Sequence, residues 1–207
     1  MGLKRLTDAA SEPISAAEAK TFMRVSNSSE DTLIGTLIKA ARQACELYTG
    51  RALITQTWEY NLDRFPSTRA ADSDWDGVRE GPISSLFTPL DYIDIPVAPL
   101  IAVSSLKTYD DAGDATTMDA GEYIVDTRRT PGRITLARGS TWPVDLRIAD
   151  AILITFTAGY GAAAAVPGPL VQAVYQATAF FFENRESGGN LPEHVRALLQ
   201  PYRMIGL

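Results

Sequence analysis

An amphipathic helix that ends on a glycine and passes directly into a strand is the strongest constraint in this sequence. Over residues 28–51, apolar side chains recur at helical spacing and form one stripe. Ser28 or Ser29 is placed to cap its start, and Gly50 stands where a left-handed C-terminal cap is favoured. Residues 53–62 alternate as a strand does, so a helix joined to a strand without a linker is predicted. The stripe consists of Leu33, Ile34, Leu37, Ile38, Ala41, Ala44, Cys45 and Tyr48.

The charge balance narrows the possible partners. The chain of 207 residues has 19 Lys and Arg against 25 Asp and Glu, a formal net charge of −6. Because neutralising phosphates drives nonspecific DNA affinity, this excludes tight DNA wrapping but allows a duplex to pass without binding. No apolar run reaches the roughly 18 residues of a membrane helix. The first residues lack the apolar segment of a secretory signal, so we expect a soluble protein made in a cytoplasm, without a membrane partner.

Helical patterns stand at both ends of the chain and strand patterns between them. Ser15 and Glu18 have the spacing of a capping box, which predicts a first helix over residues 16–25. Strands are predicted at 92–97, 103–109, 123–126, 133–137 and 151–157, and a loop at 66–90. An almost all-round apolar helix is predicted at 170–186, and a short helix opens at Pro192.

This order predicts an α+β fold. The N- and C-terminal helices should pack together as a small bundle, with an antiparallel β block enclosed between them. The expected division is residues 1–51 for the N-terminal helices, 52–160 for the β block with its long loop, and 161–207 for the C-terminal helices and a tail.

No pattern in the sequence predicts catalysis, a cofactor or a metal site. His194 is the single histidine, on the expected outer face of the last helix, and it lacks a second histidine or cysteine at ligand spacing. Cys45 is the single cysteine and is expected to be a small core residue rather than a nucleophile. We therefore expect a protein that is not an enzyme.

One acidic segment has a partial likeness to a calcium loop. Asp72, Asp74 and Asp76 alternate and precede Gly77. The bidentate glutamate of such a loop should follow six residues after the glycine, where Ile83 stands, so a solvated acidic loop is favoured.

A group of arginines surrounds the predicted turn at Pro131 and Gly132. Two interpretations stay open for this basic patch: a solvated turn with local acidic partners, or a contact with a neighbouring subunit or with passing DNA. The group consists of Arg128, Arg129 and Arg133, with Arg138 and Arg147 nearby.

Short motifs recur in a characteristic order along most of the chain. They are Pro13-Ile14-Ser15, Glu18-Ala19-Lys20, Glu30-Asp31, Leu33-Ile34, Ala40-Ala41-Arg42, Glu46, Tyr48-Thr49-Gly50-Arg51, Gln56-Thr57-Trp58-Glu59, Pro96-Val97, Val103, Tyr109, Asp111, Gly113, Tyr123, Thr157-Ala158-Gly159-Tyr160-Gly161, Val166-Pro167, Phe182-Glu183-Asn184-Arg185 and Pro201-Tyr202-Arg203. In this order the chain resembles the head–tail connector proteins, also called adaptor or head-completion proteins, of tailed bacteriophages and gene transfer agents. The loop at 66–90 and the residues before Pro13 depart from the family's pattern.

The resemblance implies a structural role in the virion. Such connectors form a ring, commonly of twelve copies, under the capsid portal, assembled in the bacterial host cytoplasm. Double-stranded DNA passes through the centre without sequence-specific binding, and a stopper or tail-completion protein binds below. The C-terminal segment commonly inserts into the portal protein, which here implicates Tyr202, Arg203, Met204, Ile205 and Leu207.

Two other functions stay open from the residues themselves. The first is a carbohydrate- or ligand-binding β domain carried on helices, with Trp58, Trp75 and Trp142 as stacking residues, although core or loop anchoring is the simpler role for them. The second is a hydrolase that uses paired carboxylates, for which no positive feature exists.

Overall fold

A computed structural model describes residues 2–66, 92–184 and 190–204 of the chain. The strands are β1 (Gly2–Thr7), β2 (Gln56–Leu62), β3 (Tyr92–Asp94), β4 (Leu100–Tyr109), β5 (Ala115–Thr117), β6 (Tyr123–Asp126), β7 (Arg133–Leu136) and β8 (Ile152–Ala158). The helices are α1 (Ala16–Met23), α2 (Asp31–Thr49), α3 (Gly168–Glu183) and α4 (Glu193–Leu199), and 3₁₀ turns lie at Ala163–Ala165 and Gln200–Tyr202. Of the predicted loop at 66–90, only Pro66 is among the described residues, so Trp75 and the acidic residues Asp72, Asp74 and Asp76 lie outside them.

The strands form two antiparallel sheets. One has the order β1-β2-β8-β4-β5, and the other has the order β3-β7-β6. β2 and β8 pair along their whole length, from Gln56 opposite Ala158 to Leu62 opposite Ile152. A single apolar core joins the sheets, and its fully buried members include Ile95, Leu106, Ile134, Ile152, Ile154 and Phe156.

The helices surround a separate apolar core. α2 packs against α1, α3 and α4, and the core includes Ile34, Ile38, Ala41, Cys45, Leu170, Val174, Phe181, Val195 and Leu199. The predicted α+β fold, with terminal helices packed together and an antiparallel β block, is confirmed.

The two ends of α2 differ in how well they were predicted. Gly50 takes the predicted left-handed conformation (φ 70°), and its N–H donates to the Glu46 carbonyl at 2.9 Å. The predicted serine cap is wrong, because the helix begins after Glu30 and has no side-chain cap. The Ser29 hydroxyl instead donates to the Asn27 side chain at 3.0 Å, which holds it in the preceding turn. The capping box of α1 is present as predicted, with Ser15 and Glu18 bonded to each other's backbone.

β1 was not predicted from the sequence. This edge strand is largely exposed on both faces. Its side chains therefore do not alternate between apolar and polar, which is the pattern that identifies a strand in a sequence. Its backbone pairs with β2, and the Arg5 guanidinium lies 5.4 Å from the centre of the Trp58 ring. Backbone pairing and charge therefore hold the strand in place, and neither leaves a pattern of apolar residues.

A fully buried arginine connects this N-terminal segment to α2. Arg42 is 0% exposed. Its Nε donates to Glu12 at 2.7 Å, its Nη2 to Asp8 at 3.0 Å, and its Nη1 to Glu46, one turn later on the helix, at 2.8 Å. Burial lowers the pKa of Arg42, but the carboxylates of Glu12, Glu46 and Asp8 outweigh it and hold the pKa above its ordinary value.

The buried carboxylate of Glu46 links this charged cluster to the start of β2. Its Oε1 accepts from the backbone N–H of Leu53 at 2.9 Å and from the Gln56 side chain at 2.7 Å. Arg5 lies 3.7 Å away on the other oxygen. Burial raises the pKa of Glu46, although Arg42 and the two hydrogen-bond donors act in the opposite direction. The helix, the first residues of β2 and the N-terminal strand therefore meet at one charged cluster.

Replacing Arg42 with leucine should destabilise the fold strongly. The change leaves three carboxylates at the cluster without their shared cation, and breaking a buried pair in this way costs about 3–5 kcal/mol. Urea unfolding followed by circular dichroism measures the loss. Arg138→Leu, at an exposed position, is the matched control and should change stability by no more than about 0.5 kcal/mol. Breaking a buried ion pair is expected to cost several kcal/mol, so a fall of less than about 1 kcal/mol in the unfolding free energy of Arg42→Leu would contradict the role given to the cluster.

The stability that Asp8 contributes should depend on acid pH. Burial raises the pKa of Asp8, but hydrogen bonds from Lys39 and the Ala9 N–H and the charge of Arg42 together hold it well below its ordinary range. A depressed folded pKa means that the contribution is complete above the unfolded pKa of about 3.9 and is lost as the pH falls through the folded value.

The stability difference between the wild type and Asp8→Asn should therefore be constant from neutral pH down to about pH 5 and should shrink below about pH 4. Unfolding free energies measured at several pH values give this difference. A difference that grows as the pH falls would show that the Asp8 carboxylate does not act through its ionised form.

Candidate functional site: the C-terminal segment and its anchor

The start of the C-terminal tail is fixed to the end of α2. The Met204 N–H donates to the Thr49 carbonyl at 2.8 Å. The Arg51 Nε donates to the Tyr202 carbonyl at 2.6 Å, and its Nη1 donates to the Tyr160 hydroxyl, just after β8, at 3.1 Å. Arg51 therefore ties the tail, the end of α2 and the exit of the central strand to one another.

Two side-chain contacts add to this anchor. The Tyr48 hydroxyl donates to the Gln200 side chain at 2.7 Å, and the Arg203 guanidinium lies 5.4 Å from the centre of the Tyr48 ring. A cation over an aromatic face at this distance is attractive. Tyr48 thus contacts the C-terminal segment on both sides of Pro201.

Gly50 lets the tail come this close. Its backbone has φ 70°, and a Cβ at this position would lie 3.0 Å from the Met204 Cε and 3.5 Å from its Cβ. A side chain here would be strained by the left-handed conformation and would also press on Met204. The glycine predicted as a helix cap therefore has a second role, as the surface on which the tail lies.

The predicted portal-binding residues fall into two groups. Tyr202 and Met204 are half-buried against their own chain, and Arg203 is exposed. Ile205 and Leu207 lie outside the described residues. The sequence identified the segment but not its attachment to residues 48–51, because contacts through backbone atoms leave no motif.

The predicted arginine patch lies around the β6–β7 turn. Arg128 and Arg129 are exposed. The Arg133 Nε donates to Asp126 at 3.2 Å, and its guanidinium lies 5.2 Å from the centre of the Tyr92 ring. Arg133 thus has the local acidic partner that one of the two interpretations expected, whereas Arg128 and Arg129 present their side chains at the surface.

The arginines also act on a neighbouring carboxyl. Burial raises the pKa of Asp94, and the charges of Arg129 and Arg133 reduce that rise without reversing it. Two further arginines of the patch stand apart from the turn. Arg138 is exposed, and the Arg147 guanidinium lies 4.4 Å from the centre of the Tyr109 ring.

The two described tryptophans, Trp58 and Trp142, are half-buried against other side chains rather than exposed at the surface. Trp58 borders the sheet core, and Trp142 stacks on Phe65 with ring centres 4.3 Å apart, at the edge of an open groove of about 910 Å³. Both indole N–H groups are buried without a hydrogen-bond partner in the described structure. These positions favour the anchoring role over the carbohydrate-stacking role.

The single histidine and the single cysteine of the sequence lie in opposite environments. His194 is exposed on α4. Cys45 is fully buried, and burial together with the charge of Glu46 raises the pKa of its thiol to about 12, which leaves it an unreactive thiol at neutral pH. Within residues 2–66, 92–184 and 190–204, no group of acidic residues, histidine and cysteine could hold a metal ion. The helices of these same ranges include none that is long and apolar enough to cross a membrane.

Comparison with known proteins agrees with the resemblance seen in the sequence. The family model described as "Phage gp6-like head-tail connector protein" matches residues 14–110. No curated protein matches the chain significantly.

Three solved structures from gene transfer agent (GTA) particles have a similar fold. A chain from the neck of an empty GTA particle, computed with C6 symmetry, has a TM-score of 0.75 and 26% identity, and the match covers 100% of this chain and 97% of that chain. A chain from the neck of the native GTA particle, computed with C12 symmetry, has a TM-score of 0.73 and 25% identity with the same coverage. A chain from the virion of the native GTA particle has a TM-score of 0.75 and 24% identity, covers 100% of this chain and 97% of that chain, and so shares the fold.

The matched family is one of structural connector proteins. Residues 14–110 match it in sequence and the whole chain matches GTA neck chains in fold, so the resemblance of this chain to the head–tail connector proteins of phages and gene transfer agents is confirmed.

Proposed function

We propose that copies of this chain, twelve in number as the resemblance implies, form a ring beneath the portal of a filled capsid. The observation that carries the proposal is the match over the whole chain to neck chains of particles computed with C6 and C12 symmetry. Identical copies around an axis repeat one head-to-tail contact, which closes into a ring when the rotation between copies divides a full turn. The protein then belongs at the head–tail interface of a virion assembled in the host cytoplasm.

The ring continues the DNA channel of the portal. A net charge of −6 suits a channel through which a polyanion must slide, because a strongly basic lining would retain it. Arg128 and Arg129, exposed at the β6–β7 turn, and Arg133 beside them contact a neighbouring subunit or the passing duplex. The β block, residues 52–160, to which β1 adds an edge strand, projects from the layer formed by helices α1–α4 and offers the attachment surface for a stopper or tail-completion protein.

The C-terminal segment docks into the portal protein. Tyr202, Arg203 and Met204 leave the body of the protein at the end of α2, where two hydrogen bonds and one cation–π contact fix them. Ile205 and Leu207 follow directly in the sequence and supply the apolar contacts. An anchored start lowers the conformational entropy that the tail loses on docking, so more of the contact energy appears as affinity.

Removing residues 205–207 should weaken portal binding at least about tenfold while the fold is kept, because the anchor at residues 48–51 does not depend on them. Binding to the portal protein of the same particle is measured by interferometry. The matched control is the His194→Ala variant, which changes an exposed α4 residue away from the tail. Unchanged affinity for the truncated chain would overturn the docking proposal, and a portal-bound protein that shows no ring by electron microscopy would overturn the ring.

Replacing Gly50 with alanine should release the start of the tail. The left-handed backbone costs an alanine about 1–2 kcal/mol, and the added Cβ also presses on Met204. Amide hydrogen exchange should therefore show roughly tenfold faster exchange at Met204.

Gly113→Ala is the matched control for this variant. Gly113 has φ 87° and nothing within 4 Å of its added Cβ, so this control has the same backbone strain without touching the tail. Equal acceleration at Met204 in both variants would mean that strain alone, and not the contact with Gly50, governs the tail.

A further inference from the structure

Helix α2 has an unusual distribution of charge. A surface helix normally buries apolar residues and exposes charged ones. α2 instead buries Arg42 and Glu46, while Leu47 is 87% exposed beside them. Two of the charges that would normally face water are therefore turned inward on this helix.

The outer face of α2 is made of small and neutral residues. It consists of Thr36, Ala40, Gln43 and Leu47, which recur at intervals of three and four residues. The two other charged residues of α2 are paired, Asp31 in the first turn with Lys20 at 2.6 Å and Lys39, which borders this face, with Asp8 at 2.9 Å. Depletion of charge around an exposed large apolar side chain is typical of the centre of a protein–protein interface.

A second, different surface lies between α1 and α3. Phe22 is 44% exposed and stacks on Tyr175 with ring centres 5.3 Å apart. These rings border an open groove of about 420 Å³. The remaining lining residues are Ala17, Glu18, Thr21 and Gln172.

Helix geometry directs the two surfaces away from each other. On α2, Ala40 and Leu47 each stand two residues after a core residue, Ile38 and Cys45, which is a rotation of about 200° from the core side. On α3, Gln172 stands two residues before the buried Val174 and is rotated by the same angle. Because α2 and α3 pack directly against each other, their outer faces point in opposite directions.

We propose that the outer face of α2 in one copy packs into the Phe22–Tyr175 groove of the next copy. The inference rests on the ring proposed above and names the contact that forms it. Opposed, unlike surfaces are what a head-to-tail contact around an axis requires. Charge agrees with the pairing. Lys39 bonds to Asp8 within its own copy but keeps 54% of its side chain exposed beside the α2 face, and Glu18, which caps α1 together with Ser15, is exposed at the edge of the groove.

Cysteine cross-linking in the full-length protein tests the contact. Leu47→Cys and Thr21→Cys place one thiol on each surface, and Cys45 does not interfere because it is fully buried. In the assembled protein, a short bismaleimide should give the double variant a ladder of covalent products that extends beyond dimers. Each single variant should give none, because the two surfaces of one contact are different. The control pair combines Leu47→Cys with Ile124→Cys, an exposed position on β6, and should also give no ladder.

A charge placed on the outer face gives an independent measurement. Ala40→Glu, at an exposed helix position, should lower the fraction of assembled protein in native mass spectrometry at least about tenfold, because an unpaired carboxylate would be buried in the contact. Lys107→Glu on β4 changes charge away from both surfaces and should leave assembly unchanged.

The outcomes separate this inference from the proposed function. If rings form without the ladder, or if Ala40→Glu assembles normally, the contact lies elsewhere and the ring stands. If the wild type forms no ring with or without the portal protein, both the ring and the contact are overturned.

Discussion

The buried guanidinium of Arg42 is the interaction on which the rest of the structure depends. It joins α2 to the segment after β1 through Asp8 and Glu12, and Glu46 passes the connection to the first residues of β2. The helical core and the sheet core are otherwise separate apolar clusters. Removing Arg42 would leave Asp8, Glu12 and Glu46 without their shared cation, so the cluster fixes the position of three chain segments together.

The second connection, at the other end of the same helix, works mostly through the backbone. The Thr49 and Tyr202 carbonyls and the Met204 N–H are main-chain groups, and Gly50 acts by having no side chain. Only Tyr48 and Arg51 contribute side-chain atoms from the α2 end. The start of the tail is thus held by backbone groups together with the Gln200 and Arg203 side chains, which both contact Tyr48.

Sequence patterns predicted those parts of the fold that rest on local rules. The capping box of Ser15, the glycine cap at Gly50 and the order of strands and helices all follow from side chains within a few residues of one another. β1 and the Arg42 cluster were missed because their partners are distant: Arg42 contacts residues 30 and 34 positions earlier in the chain. The motif Ala40-Ala41-Arg42 entered the family resemblance, yet nothing nearby in the sequence marks Arg42 as buried. The tail was recognised by resemblance, and its anchor could be seen only in the structure.

The Arg42 cluster also accounts for the exposed face of α2. One side of this 19-residue helix packs in the helical core, and one edge forms the charged cluster. Both Arg42 and Glu46 lie on that edge and point inward. The side opposite the helical core is formed by Thr36, Ala40, Gln43 and Leu47, with Lys39 exposed at its edge. Charged residues on this face would make a monomeric protein more soluble. Neutral residues on it instead favour a contact with a second copy from which water is excluded. The interaction that holds one copy together therefore leaves free the face through which we propose that copies assemble.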